Sequence, residues 1–549
     1  MIVAWLLYNK SPAMTLYILM YTYLYSMMKN IFAVLALLVA TSAVAQEEDA
    51  RQESVSRLLR DIEYKVEMQG SFSKGKTPLW LNANKFGLSS LDKTNGYLRG
   101  AIERPLKADE GRKWGVGYGV DLAVPVNYTS NVVVQQAYAE GRWLHGTLTV
   151  GAKEYPMELK NNELSSGSQT LGRNARPIPQ VRLALPEYWT VPLTRGWLHL
   201  KGHIAYGKLT DGDWEGDFTA RSSRYTEDVL YHSKAGYLKI GNEDVFCPWS
   251  FEVGLEMASL FGGKSYQPNG DGTMRVYNNA TGLKAYWDAF LPGGSDVDET
   301  QYKNVEGDQL GSWVMRVNYE NDDFAASVYA DKFFEDHSSM FQLDYDGYGS
   351  GDEWDVKKDH KYLLYDFKDW MLGAEVKLKW ATWVRGIVFE YLYTKYQSGP
   401  VYHDHTPSMS DHIGGRDNFY NHGMFAGWQH WGQVIGNPLY RSPIYNTDGT
   451  IAVENNRFMA FHLGLSGEPY DNLRYRLLGT YQEGWGTYDN PYTKKHHNVS
   501  VLAEAAYTFT GRKLEGWSIR GGCGMDFGHI LGHNYGFQLT ISKTGLFSL

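Results

Sequence analysis

From Tyr64 onward the chain keeps returning to one pattern, in which apolar residues take every second position and small or polar residues lie between them. Trp114, Val116, Tyr118, Val120, Leu122 and Val124 alternate with Gly115, Gly117, Gly119, Asp121 and Ala123. Leu372, Ala374, Val376, Leu378 and Trp380 alternate with Gly373, Glu375, Lys377 and Lys379. Near the C-terminus Tyr535, Phe537, Leu539 and Ile541 oppose Gly536, Gln538, Thr540 and Ser542. Period two marks a strand with unlike faces. Runs of about ten residues suit a tilted strand crossing a bilayer. The second face carries Glu, Lys, Arg and His, which a filled soluble core rejects unless they are paired and a wet lumen tolerates. Tight connections such as 320–323 alternate with long ones such as 332–370 and 397–455, the habit of outer-membrane barrels. The expected fold is therefore all-β. It is a transmembrane antiparallel β-barrel of roughly 16 to 20 strands, an even number, over residues 64–549, with long extracellular loops, in the outer membrane of a Gram-negative bacterium.

The N-terminal end reads differently. Met28-Lys29-Asn30, the apolar run 31–40 and Ala43-Val44-Ala45 follow the order of a secretory signal, placing a signal peptide at 28–45 with cleavage after Ala45. Residues 1–27, with Lys10 their one charge, read as an upstream extension from a mis-assigned start. Glu47, Glu48 and Asp49 precede Val55, Leu58, Leu59 and Ile62 at helical spacing. This predicts a short amphipathic helix over 48–62 within a periplasmic segment 46–63.

Composition narrows the function. A formal net charge of −9 argues against a nucleic-acid partner. A mean hydropathy of −0.42 argues against a bundle of membrane helices and says nothing against a barrel. Aromatic residues make up 15% of the chain, which suits both membrane-interface girdles and sugar-stacking surfaces. The two cysteines, Cys247 and Cys523, are too few for a disulfide framework. There is no nucleophile elbow, His-Glu-x-x-His, Walker loop or Cys-x-x-Cys. His403-Asp404-His405, the acidic Gly-rich run 344–355 and the alternating Asp211, Asp213, Glu215 and Asp217 read first as solvated loops. No enzyme activity, cofactor or metal is expected.

Three stretches stand apart from a generic barrel. Leu164-Ser165-Ser166-Gly167 leads into Asn174-Ala175-Arg176-Pro177-Ile178-Pro179, Glu252-Val253-Gly254-Leu255 precedes Phe261-Gly262-Gly263, and a Trp- and Gly-rich region ends in Ile435-Gly436-Asn437-Pro438-Leu439. Arg173, Asn174 and Arg176 place amide and guanidinium groups in a proline-fixed turn, where Arg176 could grip a sugar carboxylate by its planar fork. Asp417, Tyr420, Trp428 and Trp431 pair aromatic faces with polar groups, as sugar rings require. These seven residues are the candidate polysaccharide contacts.

In this order the three stretches resemble the capsule-assembly Wzi family as found in Bacteroidetes-type sequences. The resemblance implies an 18-stranded outer-membrane barrel plugged by helices from the periplasmic side. It also implies a surface lectin that anchors capsular polysaccharide without exporting or altering it. Outer-membrane lipids are then the other partner, and a monomer is expected. The alternative is a diffusion channel for oligosaccharides or other small solutes, with Lys201, Arg316, Glu375, Lys377 and Lys379 setting selectivity. A third class, a membrane hydrolase, needs a nucleophile and base that no spacing in the chain supplies.

Overall fold

The alternating runs pair into a closed wall. In the computed structural model the strands are β1 (Glu63–Lys74), β2 (Thr94–Arg104), β3 (Trp114–Val126), β4 (Val133–Trp143), β5 (Gly146–Ala152), β6 (Gln180–Thr190), β7 (Leu198–Lys208), β8 (Leu230–Ile240) and β9 (Trp249–Phe261). They continue with β10 (Asp308–Glu320), β11 (Phe324–Glu335), β12 (Trp370–Leu378), β13 (Gly386–Tyr393), β14 (Phe458–Tyr470), β15 (Leu473–Gly486), β16 (Pro491–Thr508), β17 (Trp517–Gly528) and β18 (Asn534–Leu546). Each strand pairs antiparallel with the next, and β18 returns to β1 with Leu546 facing Glu63 and Tyr535 facing Lys74. Closure leaves no unpaired edge, as a lipid environment demands.

The structure describes residues 58–242, 245, 247–291, 297–298, 301–302, 307–335, 343–344, 351–356, 362–363, 368–403, 406–408 and 413–547. The upstream extension, the signal and most of the 48–62 helix lie outside these residues, as do residues 345–350, Asp404 and His405.

The faces follow the alternation. Tyr535, Phe537 and Leu539 are exposed on the outside of β18, while Asn534 and Gln538 are buried inside. Connections at the end holding β1's start and β18's finish are short, for example 144–145, 321–323 and 471–472. Those at the other end are long, for example 153–179, 262–307 and 394–457. By this asymmetry the first end is periplasmic and the second extracellular. Trp114, Trp143, Trp249, Trp380, Trp383 and Tyr470 are exposed along the periplasmic rim, where indole and phenol rings settle at the lipid headgroups. Beyond the lipid band the alternation stops. The last residues of β9, from Ala258 to Phe261, are all buried, and on the outer face a helix over Leu283–Phe290 covers Phe261 with Ala285 and Ala289. Cys247 and Cys523 are both free.

The lumen departs from the wet channel that the polar face suggested. Segments 75–93, which carries the short helix α1 (Leu79–Asn82), 153–179 and 417–457 fold back into the barrel from the extracellular end. Leu79, Trp80, Leu81, Leu164, Ile178, Phe419, Tyr420, Trp428, Leu439 and Tyr440 join wall residues such as Tyr329, Phe333, Leu392, Phe458 and Leu502 in one buried core. Among the described residues this filling comes from extracellular loops, not from the periplasmic helices the family resemblance implied.

Where the plug meets the wall, it takes up the inward charges. Lys160 meets Asp331 at 2.6 Å, with both side chains 1% exposed. Arg316 donates to Glu375 at 2.7 Å and to the Leu159 carbonyl at 3.0 Å, and Asn161 donates to the same carboxylate at 2.8 Å. Glu390 accepts the Ser165 hydroxyl, the Ser166 N–H at 2.8 Å and the Tyr329 hydroxyl. Buried polar groups persist where every partner is in place, and here the loop backbone supplies them.

Candidate functional site

The sequence motifs turn out to latch the plug. Asn437 donates to the Gly167 carbonyl at 3.0 Å and to Ser166 Oγ at 3.2 Å, joining the first and third stretches. Gly167 has φ 144°, and a Cβ there would press on Pro438. A Cβ at Gly436 would collide with the Tyr420 hydroxyl and the Gln169 carbonyl. Small residues are therefore required by the close approach of two loops.

The seven candidate contacts separate accordingly. Tyr420 is fully buried, stacks on Tyr440 with ring centroids 3.9 Å apart, and donates its hydroxyl to the Gln169 carbonyl. Trp428 is fully buried and donates Nε1–H to the Thr170 carbonyl at 3.0 Å. Asn174 is buried, donates to the Val434 carbonyl at 3.0 Å and accepts the Asn84 N–H at 3.0 Å. Those three are interior staples with no face toward a polymer. Arg173 is half-buried, with its guanidinium 5.7 Å from the Phe86 ring centroid. Asp417 is half-buried and accepts the Asn418 N–H at 2.9 Å.

Arg176 and Trp431 do come together. The guanidinium lies 4.2 Å from the centre of the Trp431 ring and donates to Ser130 Oγ at 2.9 Å and Thr129 Oγ1 at 2.7 Å, in the β3–β4 loop. Trp431 is half-exposed, and its Nε1–H donates to Thr210 at 3.2 Å. Its backbone N–H donates to Asp211 at 2.8 Å.

Asp211 precedes a short helix, α2 (Gly212–Phe218), whose first turn carries Asp213 and Glu215. Acidic residues there suit the positive end of the helix. The alternating carboxylates that read as a solvated loop thus form a helical turn, and Glu215 points into the protein. It accepts the Thr226 N–H at 2.6 Å and a Gln429 N–H at 2.7 Å. Burial, with Asp211 beside it, pushes this carboxyl well above the usual range. Trp214 of α2 stacks on Phe218 at 4.9 Å and packs against Gly432. Trp431, Trp214 and Phe218, all half-exposed, form an outer aromatic shelf beside exposed Asp213, Asp217 and Arg221. Apolar ring faces flanked by charged and hydroxyl groups are the chemistry that pyranose rings select.

Beside this shelf, Ser223, Arg224, Gln267, Pro268, Gly423 and Thr450 line an open cleft of about 440 Å³. Arg224 and Gln267 both donate to the Gly423 carbonyl, at 3.0 and 2.9 Å. The neighbouring His422 accepts the N–H groups of Met424 (3.0 Å) and Phe425 (3.3 Å) on Nδ1. Burial and Arg224 together pull its pKa down to about 4. Trp214, Arg224 and Gln267 had no sequence signal, since no local spacing sets them apart from other loop residues. Among the described residues no cluster of His, Cys, Asp or Glu suits a metal.

A closed 18-stranded antiparallel barrel with an aromatic rim and long outer loops defines an outer-membrane β-barrel protein. No family model matches the chain, and no curated protein matches it in sequence. Among solved structures it is similar to Wzi of Escherichia coli, described as an outer-membrane protein involved in group 1 capsule assembly and a carbohydrate-binding β-barrel. The TM-score is 0.51 at 12% identity, over 91% of this chain and 88% of that one. It is also similar to OprD of Pseudomonas aeruginosa (TM-score 0.41, 9% identity, 88% and 95% covered) and OccK3 of the same species (0.42, 10%, 90% and 98%). In fold the chain is a Wzi-like outer-membrane barrel.

Proposed function

We propose that this protein is a surface lectin of the Wzi family, in its Bacteroidetes-type form, that holds capsular polysaccharide on the cell without chemically altering it. The observation that carries the reading is the plug. The extracellular loops that would frame a channel mouth are spent filling the lumen, so the molecule offers the cell exterior a shaped surface rather than a passage. Support also comes from the half-exposed shelf of Trp431, Trp214 and Phe218 and from the fold likeness to a barrel described as carbohydrate-binding. Trp431 and Trp214 would stack on sugar rings, while Arg176 holds the Trp431 ring from behind.

The test is binding of the purified, folded protein to capsular polysaccharide from its own strain, with an unrelated neutral glucan as control. Saturable binding to the native polymer alone is expected. A deletion strain should still make polymer but shed it into the medium. Normal cell-bound capsule in that strain would sink the reading.

A further inference from the structure

Beneath the plug, on the side of β2 to β8, a chamber of about 630 Å³ extends upward from the periplasmic end. Lys107, Arg112 and His145, from the periplasmic turns, stand at its mouth, and Tyr155, Arg182 and His203 line its upper part. It leads into a smaller cavity of about 90 Å³ against the plug, lined by Arg182, Tyr155 and Gln180 together with Arg176, Phe86 and Ile435.

Carboxylates (Glu103, Glu110, Glu140, Glu154, Glu158, Glu187) and cations line this chamber in like number, and the difference lies in how they are partnered. Glu140 is held by Lys153 at 2.7 Å and Glu158 by Lys201 at 2.7 Å. Glu256 accepts the Tyr237 hydroxyl at 2.8 Å and the Ser168 hydroxyl at 3.3 Å. Arg182 has no such match. Among the described residues its contact is the Tyr155 ring, 4.0 Å from the guanidinium, and its Nε–H is buried without a hydrogen-bond partner. The Nε–H of Arg176 is likewise buried and unpartnered. Two guanidinium donors thus border one small cavity at the head of a chamber of ligand size. A buried arginine without an anion is costly, and a carboxylate or phosphate would meet its planar fork.

We propose that this chamber is a periplasm-facing binding site for an anionic sugar unit, its carboxylate or phosphate on Arg182 and its ring in the space below, beside Tyr155 and Tyr188. The site opens on the side of the membrane opposite the outer shelf and stands whether or not the shelf binds polymer.

Calorimetric titration of the full-length protein in detergent would use glucuronate, glucose 1-phosphate, inorganic phosphate and neutral glucose as ligands. Saturable binding of one or both anionic sugars is expected, with glucose inert. Arg182→Gln should weaken it by about tenfold or more, and Arg182→Lys by less, with heat-modifiable gel migration confirming that both variants fold. Inorganic phosphate binding as tightly as the sugars would overturn the sugar assignment and leave a free-anion site. Anion binding undiminished in Arg182→Gln, or no anion bound by the wild type, would overturn the site itself. The wild-type comparison of glucuronate with glucose decides the matter even if a variant does not fold.

Discussion

Two tryptophans three residues apart show what decides a side chain's role. Trp428 and Trp431 sit in the same Gly-rich stretch and are indistinguishable by local pattern. One is fully buried against Tyr231 and the Thr170 carbonyl; the other lies half-exposed on Arg176. Their substitutions should therefore separate. Trp428→Ala should cost about 3–5 kcal/mol in urea unfolding, the range for emptying a packed aromatic site. Trp431→Ala should leave unfolding within about 1 kcal/mol of wild type and weaken polysaccharide binding by about tenfold, since an aromatic stacking contact is worth on the order of 1 kcal/mol. Equal effects of the two on binding, with folding intact, would count against the shelf. The sequence offered both residues as sugar contacts because burial of Trp428 depends on Thr170 and Tyr231, far away in the chain. No spacing rule reaches that distance.

At the level of elements, the strands were legible and the loops were not. Alternation is local, so the faces of β3, β12 and β18 could be assigned before any pairing was known. The plug is held by pairs such as Ser166 with Glu390 and Asn437 with Gly167, which join distant segments. The charged lumen face is legible as polar, but not as covered by loops in its upper part, because the same Glu and Arg residues suit water or a folded loop. Glu390→Ala tests the latch. It leaves the Ser165 hydroxyl, the Ser166 N–H and the Tyr329 hydroxyl buried without their acceptor, and should cost about 3–5 kcal/mol in urea unfolding. The outer cleft carries a pH dependence. Neutral His422 accepts two backbone N–H groups on Nδ1, and the imidazolium can accept neither. Its folded pKa of about 4 lies below the 6.5 usual for an imidazole. The stability it contributes is therefore complete above about 6.5 and is lost as pH falls through about 4. Amide exchange at Met424 and Phe425, corrected for intrinsic rates, should accelerate over that window in wild type and lose the pH step in His422→Gln.

For the whole molecule the question is whether the barrel conducts. Of the residues proposed to select solutes in a channel, Arg316 is committed to Glu375 and the Leu159 carbonyl, Lys201 to Glu158 and Lys379 to Glu320 at a periplasmic turn, while Lys377 meets Glu375 at 3.3 Å with its side chain 59% exposed. A wall of this many strands leaves an aqueous channel when its lumen is empty, as porins do. Closure here is thus a property of the inserted loops and not of the wall. β5 and β6 are hydrogen-bonded neighbours, so residues 154–178 can be replaced by a short Gly-Ser turn without unpairing them. In a planar bilayer the wild type should pass almost no steady current. The shortened variant, which lacks Lys160, Asn161, Ser165, Ser166 and Asn174 as plug contacts, should show discrete openings. Steady wild-type conductance would revive the channel reading. A shortened variant that folds and stays closed would mean that the segments at 75–93 and 417–457 suffice to seal the lumen, placing closure in them rather than in the Asn-Ala-Arg-Pro turn.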